Sequence, residues 1–247
     1  MEKKTEIAKN FATRKQLAVL IDPDICDRNS IIEIASESEK VRVDYIFVGG
    51  SLLFQSIDTC ISLIKSVCDI PIILFPGNAM QISEKADAIL FISLLSGRNP
   101  EYLIGHHVIA APHLKRSGLE ILPTAYILIE NGKQTSVQYM SNTNPIPADK
   151  PDIVVATAMA GEMLGLKYVY LEAGSGAANH VGQAIIRKVM ENTNIPIIVG
   201  GGIKSVENAS AIYQAGANLL VIGNAVEKDY SLIKGIAGLR DQNESII

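Results

Sequence analysis

The chain has 247 residues, 48% of them apolar and 19% charged, with a formal net charge of −4. That is enough apolar material for one large buried core, and the acidic balance excludes a general electrostatic attraction to nucleic acid. No apolar run approaches the roughly 20 residues a membrane-spanning helix needs, and the N-terminus lacks the apolar centre of a secretory signal.

Residues 1–16 read as a polar lead-in helix, its lysines and arginine diluted by Glu2 and Glu6. Leu17 to Ile21 is a continuous apolar run, as a strand buried on both faces requires. It ends at Asp22-Pro23-Asp24, where proline stops regular structure. A helix is expected over 30–41, then a strand over 44–48 that ends in Gly49-Gly50-Ser51. A helix over 52–68 follows, with its apolar stripe on Leu53, Ile57, Cys60, Ile61, Ile64 and Val67. Strands are expected over 71–75 and 88–92, and a weaker helix runs from Asn99-Pro100 to about residue 109.

Residues 111–150 are the least regular stretch. Ile121 to Glu130 reads as a strand, Asn131-Gly132 as a turn, and 134–140 as an excursion or flap. An apolar helix over 151–166 leads to the strand Tyr168 to Glu172 and its loop Ala173-Gly174-Ser175-Gly176. The chain then reads as helix (179–191), strand (195–199) and Gly200-Gly201-Gly202, with Ser205 as the N-cap of the next helix. A last strand over 219–222 ends at Gly223-Asn224, and a helix runs to about 239. Histidines 106, 107 and 113 read as surface or loop residues, and His180 as a helix-start residue. Cys26, Cys60 and Cys68 lack metal-type spacing, which suits free or buried thiols in a reducing compartment and hence a soluble cytoplasmic protein.

Eight strand-like runs alternate with helices, which implies parallel strands and right-handed crossovers. Two short echoes four strands apart (45–48 with 168–171, 69–73 with 194–198) favour a closed (β/α)8 TIM barrel over an open sheet. The whole of 1–247 is then one domain. In such barrels function sits at the C-terminal ends of the strands, where all of the unusual residues fall. Glycine loops after strands six, seven and eight can bring backbone amides up to a phosphate, although any single loop is equally a tight turn. Asp22 and Asp24 offer hard oxygens of the kind Mg²⁺ takes beside phosphates; the alternative is a helix cap or turn. Alternation places Tyr170 and Glu172 together on the barrel interior, with Glu172 as a general base or as half of a structural ion pair.

The segments 20–24, 48–51, 170–176, 199–203 and 221–225 resemble, in order, the motifs of the geranylgeranylglyceryl phosphate synthase family. The wording is nearer the archaeal-type subgroup, which has bacterial members, than the shorter bacterial heptaprenyl enzymes. The resemblance implies an Mg²⁺-assisted prenyltransferase joining sn-glycerol 1-phosphate to an all-trans prenyl diphosphate through an ether bond. It implies metal positions at Asp22 and Ser51. It implies glycerol-phosphate contacts at Tyr170, Leu171, Glu172, Ala173, Gly174, Ser175, Gly176, Gly201, Gly202, Gly223 and Asn224. It also implies a homo-oligomer, dimer or hexamer, and leaves a transient contact with membrane open. One departure stands out: the family commonly carries lysine after the Asp-Pro-Asp motif, and this chain has Ile25. Phe75, Phe91, Leu94, Leu95 and Tyr102 are candidates for a prenyl groove. A heptaprenyl-transferring member of the same family, another phosphate-handling barrel (an isomerase or a lyase) and a catalytically silent phosphate-binding barrel are the alternatives.

Overall fold

The computed structural model describes residues 7, 11, 14–223, 226 and 230–244, with side chains to residue 241. Eight parallel strands close into a barrel in chain order: β1 Gln16–Ile21, β2 Tyr45–Val48, β3 Ile72–Leu74, β4 Ala88–Leu94, β5 Glu120–Leu128, β6 Tyr168–Glu172, β7 Ile197–Gly200 and β8 Leu219–Ile222. The ring closes where β1 pairs with β8, Gln16 opposite Leu219 and Val19 opposite Ile222. The outer helices are α1 Arg28–Lys40, α2 Ile57–Lys65, α3 His106–Ser117, α4 Ser136–Ser141, α5 Pro151–Met163, α6 Gln183–Asn192, α7 Val206–Gln214 and α8 Ser231–Glu244.

The apolar runs that mark the strands serve two cores. Val19, Ile21, Ile46, Val48, Val169, Leu171 and Val199 pack outward against the helices, while Phe47, Ile73, Leu90, Leu122, Tyr126, Tyr170 and Ile198 fill the interior. Phe11 closes the N-terminal end of the barrel, its ring edge-on to Tyr45 at 5.2 Å and to Tyr168 at 4.8 Å. Polar residues just ahead of three strands hold their neighbours in register. The Asp44 carboxylate accepts from the Leu17 amide, that of Asp87 from Ile72, and the Asn218 side-chain oxygen from Ile197, each at 2.9 Å. These bonds satisfy strand-end donors that the ladder leaves over.

Several boundaries differ from expectation. The lead-in helix of 1–16 lies largely outside the described residues, and Gln16 already belongs to β1. The helix expected from 52 begins at Ile57, because the Asp24 carboxylate takes the amides of Phe54 and Gln55 and Ser56 then caps the helix by accepting from Thr59. Residues 111–117 are not irregular. They continue α3 past Pro112, after a π-helical turn over Glu101–Gly105. The flap at 134–140 contains α4, and α6 starts four residues later than expected, at Gln183. Ser205 caps α7 as expected, accepting from the Asn208 amide. All three cysteines are buried, and none is in a disulfide. No described helix is long and apolar enough to cross a membrane.

Candidate active site

The strand ends meet around a cavity of roughly 1080 Å³ that opens at the C-terminal end of the barrel. Glu172, the last residue of β6, is 5% exposed. Its Oε1 accepts from the Gly174 amide at 2.5 Å, and the Tyr170 and Tyr126 hydroxyls donate to the same carboxylate. Burial raises its pKa to about 7, against the opposing effect of those three hydrogen bonds. Burial, and then the negative charge of Glu172, push both tyrosines well above the usual phenol value. They therefore remain neutral donors, and the carboxylate changes charge near neutral pH.

Tyr126 did not stand out in the sequence. Its place follows from register, since β5 pairs with β6 so that Tyr126 lies beside Tyr170 and Leu128 beside Glu172. The two rings lie 5.2 Å apart, and Phe75 stacks on Tyr170 at 5.3 Å, holding the phenols from the β3 side. The available signal was alternation along 120–128, which puts a phenol two residues short of the strand's end, as on β6.

Ser175, Gly176, Gly201, Gly202 and Gly223 line one end of the cavity. Gly201 has φ +81°, and a Cβ there would overlap Glu172 Oε1 and the Gly174 amide; Gly202, at φ +68°, sits against the backbone of Asn179 and His180. Only glycine lets these loops approach so closely. Gly201→Ala is therefore expected to raise the KM for a phosphate substrate at least ~10-fold by straining φ and crowding Glu172, as steady-state kinetics would show. Leu171 and Ala173 pack into the outer core, so they join this segment through backbone alone. Gly174 lies behind the loop, against Thr135. Asn224 is outside the described residues.

Across the cavity, Asp22 follows β1 and Ser51 follows β2, and both line the wall. Burial raises the Asp22 pKa, countered by the Asp24 amide, which donates to its Oδ1 at 3.0 Å, while the Asp24 charge adds to the rise. The Asp24 carboxylate is turned to the amides of Phe54 and Gln55 and does not line the cavity. Among the described residues no three His, Cys, Asp or Glu side chains converge as a metal cage. A single carboxylate with a neighbouring hydroxyl fits a divalent cation that draws its other ligands from phosphate oxygens and water. Ile25 is half-exposed at the rim, and Lys204 is the one lysine or arginine among the described residues that line the cavity.

A third region extends between β4 and α3, lined by Leu90, Phe91, Ile92, Leu94, Tyr102 and Leu114. Phe91, Leu94 and Tyr102 of the proposed groove are there; Phe75 lines the cavity where it stacks on Tyr170, and Leu95 does not line it. His107 corrects the surface reading, for it is 8% exposed, edge-on to Phe91 at 4.4 Å and 3.3 Å from the Ser93 hydroxyl. Burial, and secondarily His106, lower its pKa, so the ring is neutral. His106 also lines the cavity and packs on Tyr102, whereas His113 is exposed as expected. His180 follows the cradle loop, its Nδ1 2.8 Å from the Val181 carbonyl. The α4 segment roofs this arm through Val137, Tyr139 and Met140, held by the Tyr102 hydroxyl on the Met140 carbonyl at 3.2 Å.

The model of the PcrB family matches residues 10–239. Geranylgeranylglyceryl phosphate synthase of Chitinophaga pinensis is 51% identical over 90% of this chain and 89% of its own, and that of Spirosoma linguale is 49% identical over 95% of both. The crystal structure of (S)-3-O-geranylgeranylglyceryl phosphate synthase from Thermoplasma acidophilum, in complex with sn-glycerol-1-phosphate, is 36% identical. It superposes with a TM-score of 0.91 over 96% of this chain and 99% of that one. With the barrel, the acid at the end of β6 and the glycine loops all in their expected places, the chain belongs to the PcrB family and is a prenyltransferase of the geranylgeranylglyceryl phosphate synthase kind.

Proposed function

We propose that this chain joins sn-glycerol 1-phosphate to an all-trans prenyl diphosphate, geranylgeranyl diphosphate in the first instance, forming an ether and releasing diphosphate. The observation that carries the reading is the position of Glu172. A carboxyl that titrates near neutrality stands where a glycine-lined phosphate cradle meets a long apolar arm.

The amides of Gly176, Gly201 and Gly202 hold the phosphate and so fix where the glycerol hydroxyl points. Glu172, oriented by Tyr126, Tyr170 and the Gly174 amide, takes the proton from that hydroxyl as its oxygen bonds to C1 of the prenyl chain. The C1–O bond to diphosphate breaks at the same centre, and the bonding pair leaves with the diphosphate. The proton remains on Glu172 until solvent removes it. The arm between β4 and α3 keeps water from the electron-poor allylic carbon. Asp22 and Ser51 would hold Mg²⁺, which neutralises charge on the departing diphosphate when bound.

The test is incubation with sn-glycerol 1-phosphate, labelled prenyl diphosphates of several lengths and Mg²⁺, with and without EDTA. A phosphatase-sensitive ether product that EDTA suppresses is expected, and Asp22→Asn is expected to lower turnover by ~10²-fold or more. No such product at any chain length would overturn the reaction. Full activity of Asp22→Asn would remove the metal role and leave the rest standing.

A further inference from the structure

The wall facing the glycine cradle is built where the loops after β1, β2 and β3 meet. A Cβ on Gly77 would overlap the carbonyl oxygens of Gly50 and Ser51, and one on Gly50 would reach the Asp22 carboxylate. The ends of β2 and β3 are thus packed backbone against backbone beside the Asp22 carboxylate. One buried side chain, Gln81, joins these two, and it is 5% exposed. Its Oε1 accepts from the Gly77 amide at 2.9 Å and its Nε2 donates to the Gly50 carbonyl at 3.0 Å. The partners settle the amide's orientation, because Gly77 presents an N–H and Gly50 a C=O. Gln81 does not itself line the cavity, whereas Gly49, Gly50, Ser51 and Gly77 do.

Both polar ends of Gln81 are committed to backbone groups of loops that have no regular ladder at this point. The bond to Gly50 bears on the residue that separates Ser51 from Gly49, and Gly50 is the one that touches Asp22. We propose that Gln81 is a positioning residue for the diphosphate side of the site, clamping Gly50–Ser51 between Asp22 and the Gly77 turn. The spacing between the Asp22 carboxylate and the Gly49–Ser51 backbone is thereby held at what a diphosphate and its divalent cation require. This inference rests on the placement of the diphosphate beside Asp22 made above. The glycerol-phosphate cradle lies on the loops after β6 to β8 and the clamp on those after β2 and β3, so the two ends of the site separate in a kinetic test.

Gln81→Met fills a similar volume and makes neither bond, and Gln81→Leu does the same with a shorter, branched side chain; neither adds charge. The expected result is a KM for prenyl diphosphate raised ~10-fold or more, with the KM for sn-glycerol 1-phosphate within about twofold of the parent. Calorimetric titration of inorganic diphosphate with Mg²⁺ is expected to weaken in parallel, and amide exchange over residues 49–54 to quicken. Equal increases in both KM values, unchanged diphosphate binding, or failure of both variants to fold would each overturn the proposal and leave Gln81 a structural bond. If the parent makes no ether product, the proposed reaction fails. The clamp is then judged by the diphosphate titration alone, where weaker binding in the variants supports it and no binding in the parent overturns it.

Discussion

Glu172→Gln is expected to cut kcat by ~10²–10⁴-fold, the usual worth of a positioned base, while the KM for sn-glycerol 1-phosphate changes little. Parent activity should rise with pH through about 7, where Glu172 loses its proton, and the residual activity of the variant should lose that limb. The same substitution should stabilise the protein at pH 8. Glutamate is ordinarily ionised above 4.5, whereas here its pKa is about 7. Between those values the folded state keeps a proton that the unfolded chain has released. The associated stability is complete below pH 4.5 and is lost as pH rises through 7. Glutamine is neutral throughout, so the variant should gain roughly 1–3 kcal/mol at pH 8 and nothing at pH 4. For a chain of this length that is a rise in Tm of a few degrees, about 2–4 °C per kcal/mol. Parent-like kcat, or a lower Tm at pH 8, would contradict the assignment of Glu172 as a strained, functional carboxyl.

Arg240→Ala should have the largest effect on stability. Arg240 in α8 is 4% exposed, and its guanidinium reaches the Asp44 carboxylate at 2.9 Å and the Arg42 carbonyl at 2.6 Å. Asp44 also accepts from the Leu17 amide and from Arg14. The cluster therefore ties the last helix to the bases of β1 and β2, beside the seam where the ring closes. Removing one member of a buried pair costs about 3–5 kcal/mol because the other charge is left buried, and a fall in Tm of about 10 °C follows. Arg14, still bonded to Asp44, moderates the loss. If the charge is the cause, Arg240→Met combined with Asp44→Asn should be more stable than Arg240→Ala alone. Turnover per folded molecule at low temperature should be unchanged.

The barrel was legible in the sequence because each strand is a short apolar run stopped by proline, glycine or a charge, and such punctuation is local. Glu172 was legible for the same reason: an acid at the end of such a run, next to two glycines, is visible along the chain. Tyr126 was not, since its significance depends on which residue of β6 lies beside it, and that is a property of strand register. Asp24 shows the converse. Its spacing from Asp22 suggested a second metal ligand, whereas its oxygens accept from amides about thirty residues further on, and those bonds delay α2 to Ile57. His107 was misplaced because which face of that helix turns inward depends on Phe91 of β4, against which the ring packs. Each of these differences comes from a contact between distant segments.

Phe11, wedged between Tyr45 and Tyr168, plugs the N-terminal end of the barrel, and the cavity opens at the other end. Under the proposed reaction, an ether lipid formed with its tail in the arm between β4 and α3 would leave past the place where the next prenyl chain arrives. Traffic at that opening, and not only the chemistry at Glu172, would set the pace of repeated turnover.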